Sequence, residues 1–308
     1  MKLVVTGSLG NISQPLTEVL VAQGHDVTVV SSDLNKEAAI KAMGASAAIG
    51  SIGDVDFLTS VFQGADAVYA MIPLSFTEPD LGGYLRRMAK NYLQALKATQ
   101  VRRVVVMSGW VADLIKSENL ENEFDGLEAS VTFMRPGAFY TNFYQSMDLI
   151  KGKGLMGKLL TLRYSGLWAL LTGKTGLLMG NYGGDDRIVF VSPKDIADAV
   201  AEELVLMPEQ NSIRYVGSEE LTCNEAARII GTAIGKPWLK WVLISDKAMM
   251  QGMKIANVPQ GFAKTIVEMQ AAMHSGKPLK NFHRNNPKMG NIKLADFARE
   301  FANVYHQK

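Results

Sequence analysis

Six short apolar runs, KLVVT (2–6), VTVV (27–30), ASAAI (45–49), AVYAM (67–71), RVVVM (103–107) and VTFM (131–134), recur through the first half of the chain with helix-patterned stretches between them. Strands that run parallel need a long crossover, and a helix is the usual one. The alternation therefore reads as successive βαβ units building a parallel sheet. Punctuation agrees: Pro15 suits a first helical turn, Gly24 follows VLVAQ as a helix stop, and QGAD (63–66) ends the helix before the fourth run.

After Pro136 the pattern changes. Gly152 to Gly184 reads as a loop-rich, Gly-rich stretch, followed by IVFV (188–191) and SPKDIADAVAEEL, in which Ser192 caps a helix and Pro193 opens it. From Arg214 onward come a short strand (RYVG), a helix from Asn224 to Gly235, the run WLKWVLI (238–244) and helices ending in IKLADFAREFANVY. The expected fold class is α/β: a doubly wound parallel sheet over residues 1–150, to which the chain returns around 188–205, and a smaller α+β lobe over 151–308 that walls a substrate pocket.

Composition narrows the partners. With 32 Lys+Arg against 30 Asp+Glu, the formal charge of +2 offers no field for gathering phosphate backbones or anionic lipid, so neither nucleic acid nor membrane is expected. The one cysteine, Cys223, excludes an intrachain disulfide, and His25, His274, His283 and His306 lack metal-ligand spacing. MKLVVTG reads as a first strand and not a signal peptide, which points to the cytoplasm. The apolar stretch Gly166 to Gly180 is broken by Lys174 and several glycines; it reads as a lid or pocket wall.

The chemistry begins at TGSLGNIS, immediately after the first run. Gly7 and Gly10 stand where a tight bend and close backbone approach to a diphosphate are needed, and the helix that follows aims its free N–H groups at the anion. Ser13 occupies the third glycine position of such a fingerprint, whose task is close helix–strand packing, so binding is expected to survive there.

This loop, with FQGADAVYAMIP (62–73), VRRVVVMSG (101–109), VTFMRPGAFYTNF (131–143), IVFVSPKDIADAVAEEL (188–204) and RYVGSEELTCNEAARIIGTAIGKP (214–237), resembles the NmrA-like group of atypical short-chain dehydrogenases/reductases. The resemblance implies a Rossmann domain that binds NAD or NADP and a small substrate lobe. It implies a diphosphate loop of Gly7, Ser8, Leu9, Gly10, Asn11 and Ile12, an adenosine ribose near Ser31, Ser32 and Asp33, and adenine near Ser51 and Ile52. On the nicotinamide side it implies Met71, Ile72 and Pro73, then Met107 and Ser108, then Pro136 and Gly137.

The chain departs from that group in two places. Many relatives carry an arginine where Ser32 stands and a basic residue near Asn11, both for the 2′-phosphate of NADP; here Asp33 either reaches the ribose or caps the turn before Leu34, and Lys36 offers one phosphate contact. The second departure is catalytic. Carbonyl reductases of this kind donate a proton from the tyrosine of a Tyr-x-x-x-Lys pair while a serine holds the oxygen. Between Gly109 and Arg135 there is no tyrosine; Ser108, Lys116 and Tyr140 are the weak candidates left. A ketone-derived alkoxide needs such an acid, whereas a quinone yields a delocalised phenolate that water protonates. Phe76, Trp110, Phe139 and Phe143 are candidates for an apolar substrate pocket. Two readings follow: an NAD(P)H-dependent oxidoreductase acting on a small quinone-like or conjugated carbonyl acceptor, as a possible homodimer, or a non-catalytic NAD(P)-binding redox sensor that meets a protein partner.

Overall fold

The computed structural model describes residues 1–75, 78–115 and 119–307, and its chain divides into two compact units. The first comprises Met1–Pro136, Pro193–Val216 and Pro259–Thr265; the second comprises Gly137–Ser192, Gly217–Val258 and Ile266–Lys308.

In the first unit the chain runs β1 (Lys2–Val5), α1 (Ser13–Ala22), β2 (Asp26–Ser31), α2 (Glu37–Ala42), β3 (Ser46–Ile49), α3 (Val55–Phe62), β4 (Ala67–Ala70), α4 (Leu81–Thr99), β5 (Arg103–Met107) and β6 (Ser130–Pro136). All six runs form strands. The second unit then supplies β7 (Ala138–Phe139), α5 (Asn142–Gln145), α6 (Met147–Lys151), α7 (Gly154–Leu171), β8 (Leu178–Gly180) and β9 (Arg187–Val191). The first unit regains the chain for α8 (Pro193–Val205) and β10 (Ser212–Val216), and the rest is β11 (Glu219–Thr222), α9 (Cys223–Ala233), β12 (Trp241–Leu243), α10 (Asp246–Ile255), α11 (Gln260–His274), α12 (Lys277–Asn285) and α13 (Leu294–Gln307).

The large sheet has seven strands in the order β10-β6-β5-β4-β1-β2-β3, and every adjacent pair is parallel. Strand order reverses between β1 and β4. Val4 pairs with Thr28 on one side and Val68 on the other, so β1 has no free edge, and Leu3, Val4 and Val5, which alternate between the two faces, are all fully buried. One face is sealed by α3 and α4 through Leu58, Phe62, Tyr92 and Leu96, all fully buried against Val4, Val68 and Val104. Across the sheet, Leu16 and Leu20 of α1 and Ile196, Val200 and Leu204 of α8 are fully buried, each worth about 1.5–3 kcal/mol of apolar burial, and α1 packs on α8. Fully buried Arg103 ties β5 to α8: its Nε donates to Glu203 O at 2.9 Å and its Nη2 to Glu203 Oε2 at 2.7 Å. Gly24 stops α1 as its sequence position requires, with φ +81°, its N–H donating to Val21 O at 2.9 Å and His25 N–H to Leu20 O at 3.1 Å.

Four stretches differ from expectation. The strand in RYVG is not part of the smaller lobe, which takes up the chain only at Gly217: Ser212–Val216 adds a seventh strand beside β6, because α8 supplies the crossover that a parallel neighbour demands. IVFV lies in the second unit, where β9 pairs antiparallel with β11 and parallel with β7, so the chain re-enters the first unit only at Pro193. The Gly-rich stretch from 152 holds the helix α7, bent at Gly166 (φ 86°, ψ 169°). KNFHRNNPK, which composition marks as a solvated loop, is helical through Asn285.

The second unit pairs β8 with β12 in a further two-stranded sheet. Its core is aromatic: the Phe143 ring lies 6.1 Å from Phe190, 6.0 Å from Trp241 and 6.5 Å from Phe297. Thr222 caps α9 through a reciprocal pair with Glu225, and fully buried Cys223 follows.

Candidate dinucleotide-binding site

The residues assigned to a cofactor within the first unit all follow the carboxyl ends of its strands: Gly7–Ile12 after β1, Ser31–Asp33 at β2, Ser51 and Ile52 after β3, Met71–Pro73 after β4, Met107 and Ser108 at β5 and Pro136 closing β6. Parallel α/β sheets bind ligands there, at the point where strand order reverses. In this sheet that point is the β1/β4 boundary.

The loop after β1 has the geometry an anion requires. Gly7 adopts φ +94°, and a Cβ built on it would lie 2.6 Å from both Met71 Cε and Ser13 Oγ, so a side chain here would strain the turn and push both neighbours aside. Gly10 N–H turns back onto Gly7 O at 3.1 Å and Ser8 N–H donates to Val30 O at 3.0 Å. The N–H groups of Leu9, Asn11 and Ile12 have no partner among the described residues, at the positive end of a ten-residue helix. A diphosphate fits this cradle. Ser13 does not obstruct it: buried, it donates its hydroxyl to Thr6 O at 2.7 Å, away from the turn.

Side chains brace the crevice. Thr6 Oγ1 donates to Tyr69 O at 3.0 Å and accepts Met71 N–H at 2.8 Å, joining the ends of β1 and β4; Tyr92 Oη donates to Met71 O at 2.9 Å. Ser8, held at φ +57°, donates to Ser31 Oγ at 2.8 Å, and Asp33 N–H donates to the same oxygen at 3.1 Å. Asp33 caps the turn, its Oδ1 accepting both the N–H and the side-chain amide of Asn35 at 3.0 Å. Ser32 is exposed, Ser51 Oγ accepts Gly53 N–H at 3.0 Å, and Ile52 O accepts the Asn91 amide at 3.2 Å.

Beyond β5 lies a buried network whose carboxylate sequence patterning misses. Ser108 Oγ donates to Glu121 Oε1 at 2.5 Å. Arg135 Nε and Nη2 grip the two Glu121 oxygens at 2.8 and 2.7 Å, its Nη1 donates to Tyr215 Oη at 3.0 Å, and Asp113 stands 3.6 Å from Nη1. Glu121 is 7% exposed and Arg135 4%. Burial alone would lower the Arg135 guanidinium, but its bonds to Glu121 and Tyr215 outweigh burial and hold it above its ordinary value. The signal available in sequence was a bare one: an arginine flanked by apolar residues in a strand needs a carboxylate, and Asp113, Glu121, Glu123, Asp125 and Glu128 all precede it.

The remaining candidates separate. Tyr140 is fully buried in the second unit, donates its hydroxyl to Ile292 O at 3.1 Å and stacks on Phe297, so its proton is engaged within the protein core. Phe143 is a core ring of the same unit, 3% exposed and stacked on Phe190. Phe139 is half-buried in β7. Gly137 has a packing reason inside its own unit, since a Cβ there would lie 2.2 Å from Val189 O. Trp110 is buried in the first unit, and its indole N–H has no partner among the described residues. Phe76 and Lys116 lie outside the described residues.

A reversing parallel sheet with a glycine cradle at an open helix start defines a Rossmann-type dinucleotide-binding protein. The model of the NAD(P)H-binding family matches residues 7–205, and the chain belongs to that family. Its nucleotide is therefore NAD(P)H. The chain is 23% identical over 278 residues to the NAD(P)H azoreductase of Xenophilus azovorans, across 87% of this chain and 86% of that enzyme. It is similar in fold to the NADPH-dependent quinone oxidoreductase of Escherichia coli solved with NADPH (TM-score 0.71, 18% identity, 97% of this chain and 99% of the other). It is likewise similar to the triphenylmethane reductase of Citrobacter sp. complexed with NADP(H) (TM-score 0.71, 17% identity, 98% and 100%).

Proposed function

We propose that this protein is an NAD(P)H-dependent reductase whose acceptor is a small quinone-like or conjugated carbonyl compound. The observation that carries the reading is the state of Ser108, whose hydroxyl proton is directed at Glu121 and not outward from β5. Bound NAD(P)H supplies a hydride. The chain's part is to bind and position: the free amides of Leu9, Asn11 and Ile12 would hold the diphosphate, and the Thr6–Met71 tie fixes the two strand ends that flank it.

Ser108 has lone pairs to offer and no free proton, so it serves as an acceptor for a donor on cofactor or substrate. With no tyrosine between Gly109 and Arg135, the site lacks the acid that a ketone-derived alkoxide requires. An acceptor whose reduced form spreads its charge dispenses with that acid. The named reductases among the relatives, which act on azo, quinone and triphenylmethane compounds by their descriptions, support this class.

The test is a fluorescence titration with NADH and NADPH, followed by nicotinamide oxidation against matched quinones and aliphatic ketones. Turnover confined to the quinones is expected. Comparable turnover of the ketones overturns the acceptor class, and tight nucleotide binding without turnover across the panel assigns the protein to the regulatory alternative.

A further inference from the structure

The helix α7 carries its apolar side outward. Its inward positions are small or polar: Thr161 is 1% exposed and donates to Gly157 O at 2.8 Å, and a Cβ on Gly157 would lie 2.4 Å from Gly152 C. Most of its outward positions are large and apolar. Leu155, Leu159 and Leu162, spaced four and three residues apart on one face, are 76%, 51% and 43% exposed; past the bend at Gly166, Leu167, Trp168 and Leu171 are 58%, 74% and 71% exposed. A helix on a water-facing surface has the opposite pattern. These six large apolar side chains, exposed along one eighteen-residue segment, mark a surface that meets something else.

Charge identifies the occupant. From Leu149 to Gly184 there is no Asp or Glu, while Lys153, Lys158, Arg163 and Lys174 are exposed and form no ion pair among the described residues. A second copy of this chain would set those cations against their own equivalents, because an isologous contact repeats the same patch. A surface that is apolar beneath and anionic above matches both halves of the pattern. We propose that α7 is an interfacial anchor that lays Leu155, Leu159, Leu162 and Trp168 into the headgroup region of an anionic lipid bilayer, with the flanking cations on lipid phosphates. This is attachment to one leaflet: no helix among the described residues is long and apolar enough to cross a membrane. It differs from the expectation of no membrane partner, which rested on a net charge that averages over this basic segment and on reading Gly166 to Gly180 as a lid or pocket wall. The proposal depends on neither the nucleotide nor the acceptor.

Co-sedimentation of the full chain with vesicles of phosphatidylcholine alone, or mixed equally with phosphatidylglycerol, tests it. Partitioning onto the anionic vesicles is expected to exceed that onto neutral ones by about tenfold or more and to weaken in about 0.5 M salt. A Leu155→Ser/Leu159→Ser/Leu162→Ser variant and a Lys153→Gln/Lys158→Gln/Arg163→Gln variant should each lose about tenfold of it while keeping NAD(P)H affinity, which shows that they fold. Vesicle-induced blue shift of tryptophan emission should vanish in Trp168→Phe. No sedimentation with either vesicle, equal sedimentation with both, or reversible self-association abolished by the leucine variant would each overturn the proposal, the last in favour of an interface between copies.

Discussion

Replacing Glu121 by Gln tests the buried network at the end of β5. Glu121 Oε1 accepts from Ser108 Oγ and Arg135 Nε, and Oε2 accepts from Arg135 Nη2. A glutamine keeps one oxygen and turns an NH2 group toward the other side, so in either orientation one guanidinium N–H faces a donor. Arg135 is too buried for water to replace the lost bond. Removing one partner of a buried pair costs about 3–5 kcal/mol. Arg135 retains its bond to Tyr215 and the flanking Asp113, so the expected loss is about 2–4 kcal/mol. The assay is urea unfolding followed by tryptophan fluorescence, with the slope unchanged and the midpoint lowered. Glu123→Gln is the control: Glu123 pairs with Lys90 at 3.9 Å near the surface, and its loss should stay within about 0.5 kcal/mol. A Glu121→Gln loss below about 1 kcal/mol would show that the guanidinium does not depend on this carboxylate.

Ser108→Ala should lower kcat toward a quinone by less than about tenfold, against the 100- to 1,000-fold expected from losing a true oxyanion donor; steady-state kinetics distinguish the two. Asp33→Ala should lower stability by about 1 kcal/mol through the lost cap while changing the ratio of NADH to NADPH affinity by less than about threefold, as read by nucleotide titration. Burial pushes the Glu220 carboxyl up, but the bonds from Arg187 and His283 outweigh it and leave its folded value depressed. Its contribution is thus present above the ordinary carboxylate range and lost as pH falls through the folded value; Glu220→Gln should flatten acid unfolding curves by roughly 0.5–1 kcal/mol. Burial, with the Asp186 charge second, raises the Cys223 thiol, so Ellman's reagent at mild alkaline pH should label the folded chain at least about 100-fold more slowly than the urea-unfolded one.

The strands of the first unit were legible because a strand buried on both faces must be apolar throughout, and VTVV or RVVVM supports no other element of that length. Strand β10 was misplaced for a physical reason. SIRYV is an edge strand with Ser212 and Ile213 exposed, so its composition does not announce the buried neighbour with which it pairs. The helix α7 was hidden by Gly154, Gly157 and Gly166, which read as loop punctuation although Gly157 is there for close approach to the Gly152 backbone. Glu121 was hidden because a carboxylate fourteen residues from its arginine obeys no helical or strand period.

The Ser13 substitution separates what the glycine fingerprint requires from what it usually contains. At Gly7 the requirement is strong, since φ +94° strains any L side chain and a Cβ would also have to displace Met71 Cε and Ser13 Oγ. At Ser13 the backbone is helical and the demand is only that α1 sit close to β1. A hydroxyl there brings a donor into a fully buried site, and Thr6 O, the carbonyl that follows β1, accepts it at 2.7 Å. The side chain of Thr6 meanwhile reaches Tyr69 and Met71, so this residue fastens α1 with its carbonyl and β4 with its hydroxyl. A third glycine would give close packing without the first of these bonds. The serine instead links the start of the helix to the carboxyl end of β1, where the amides of Leu9, Asn11 and Ile12 must stay fixed to hold an anion.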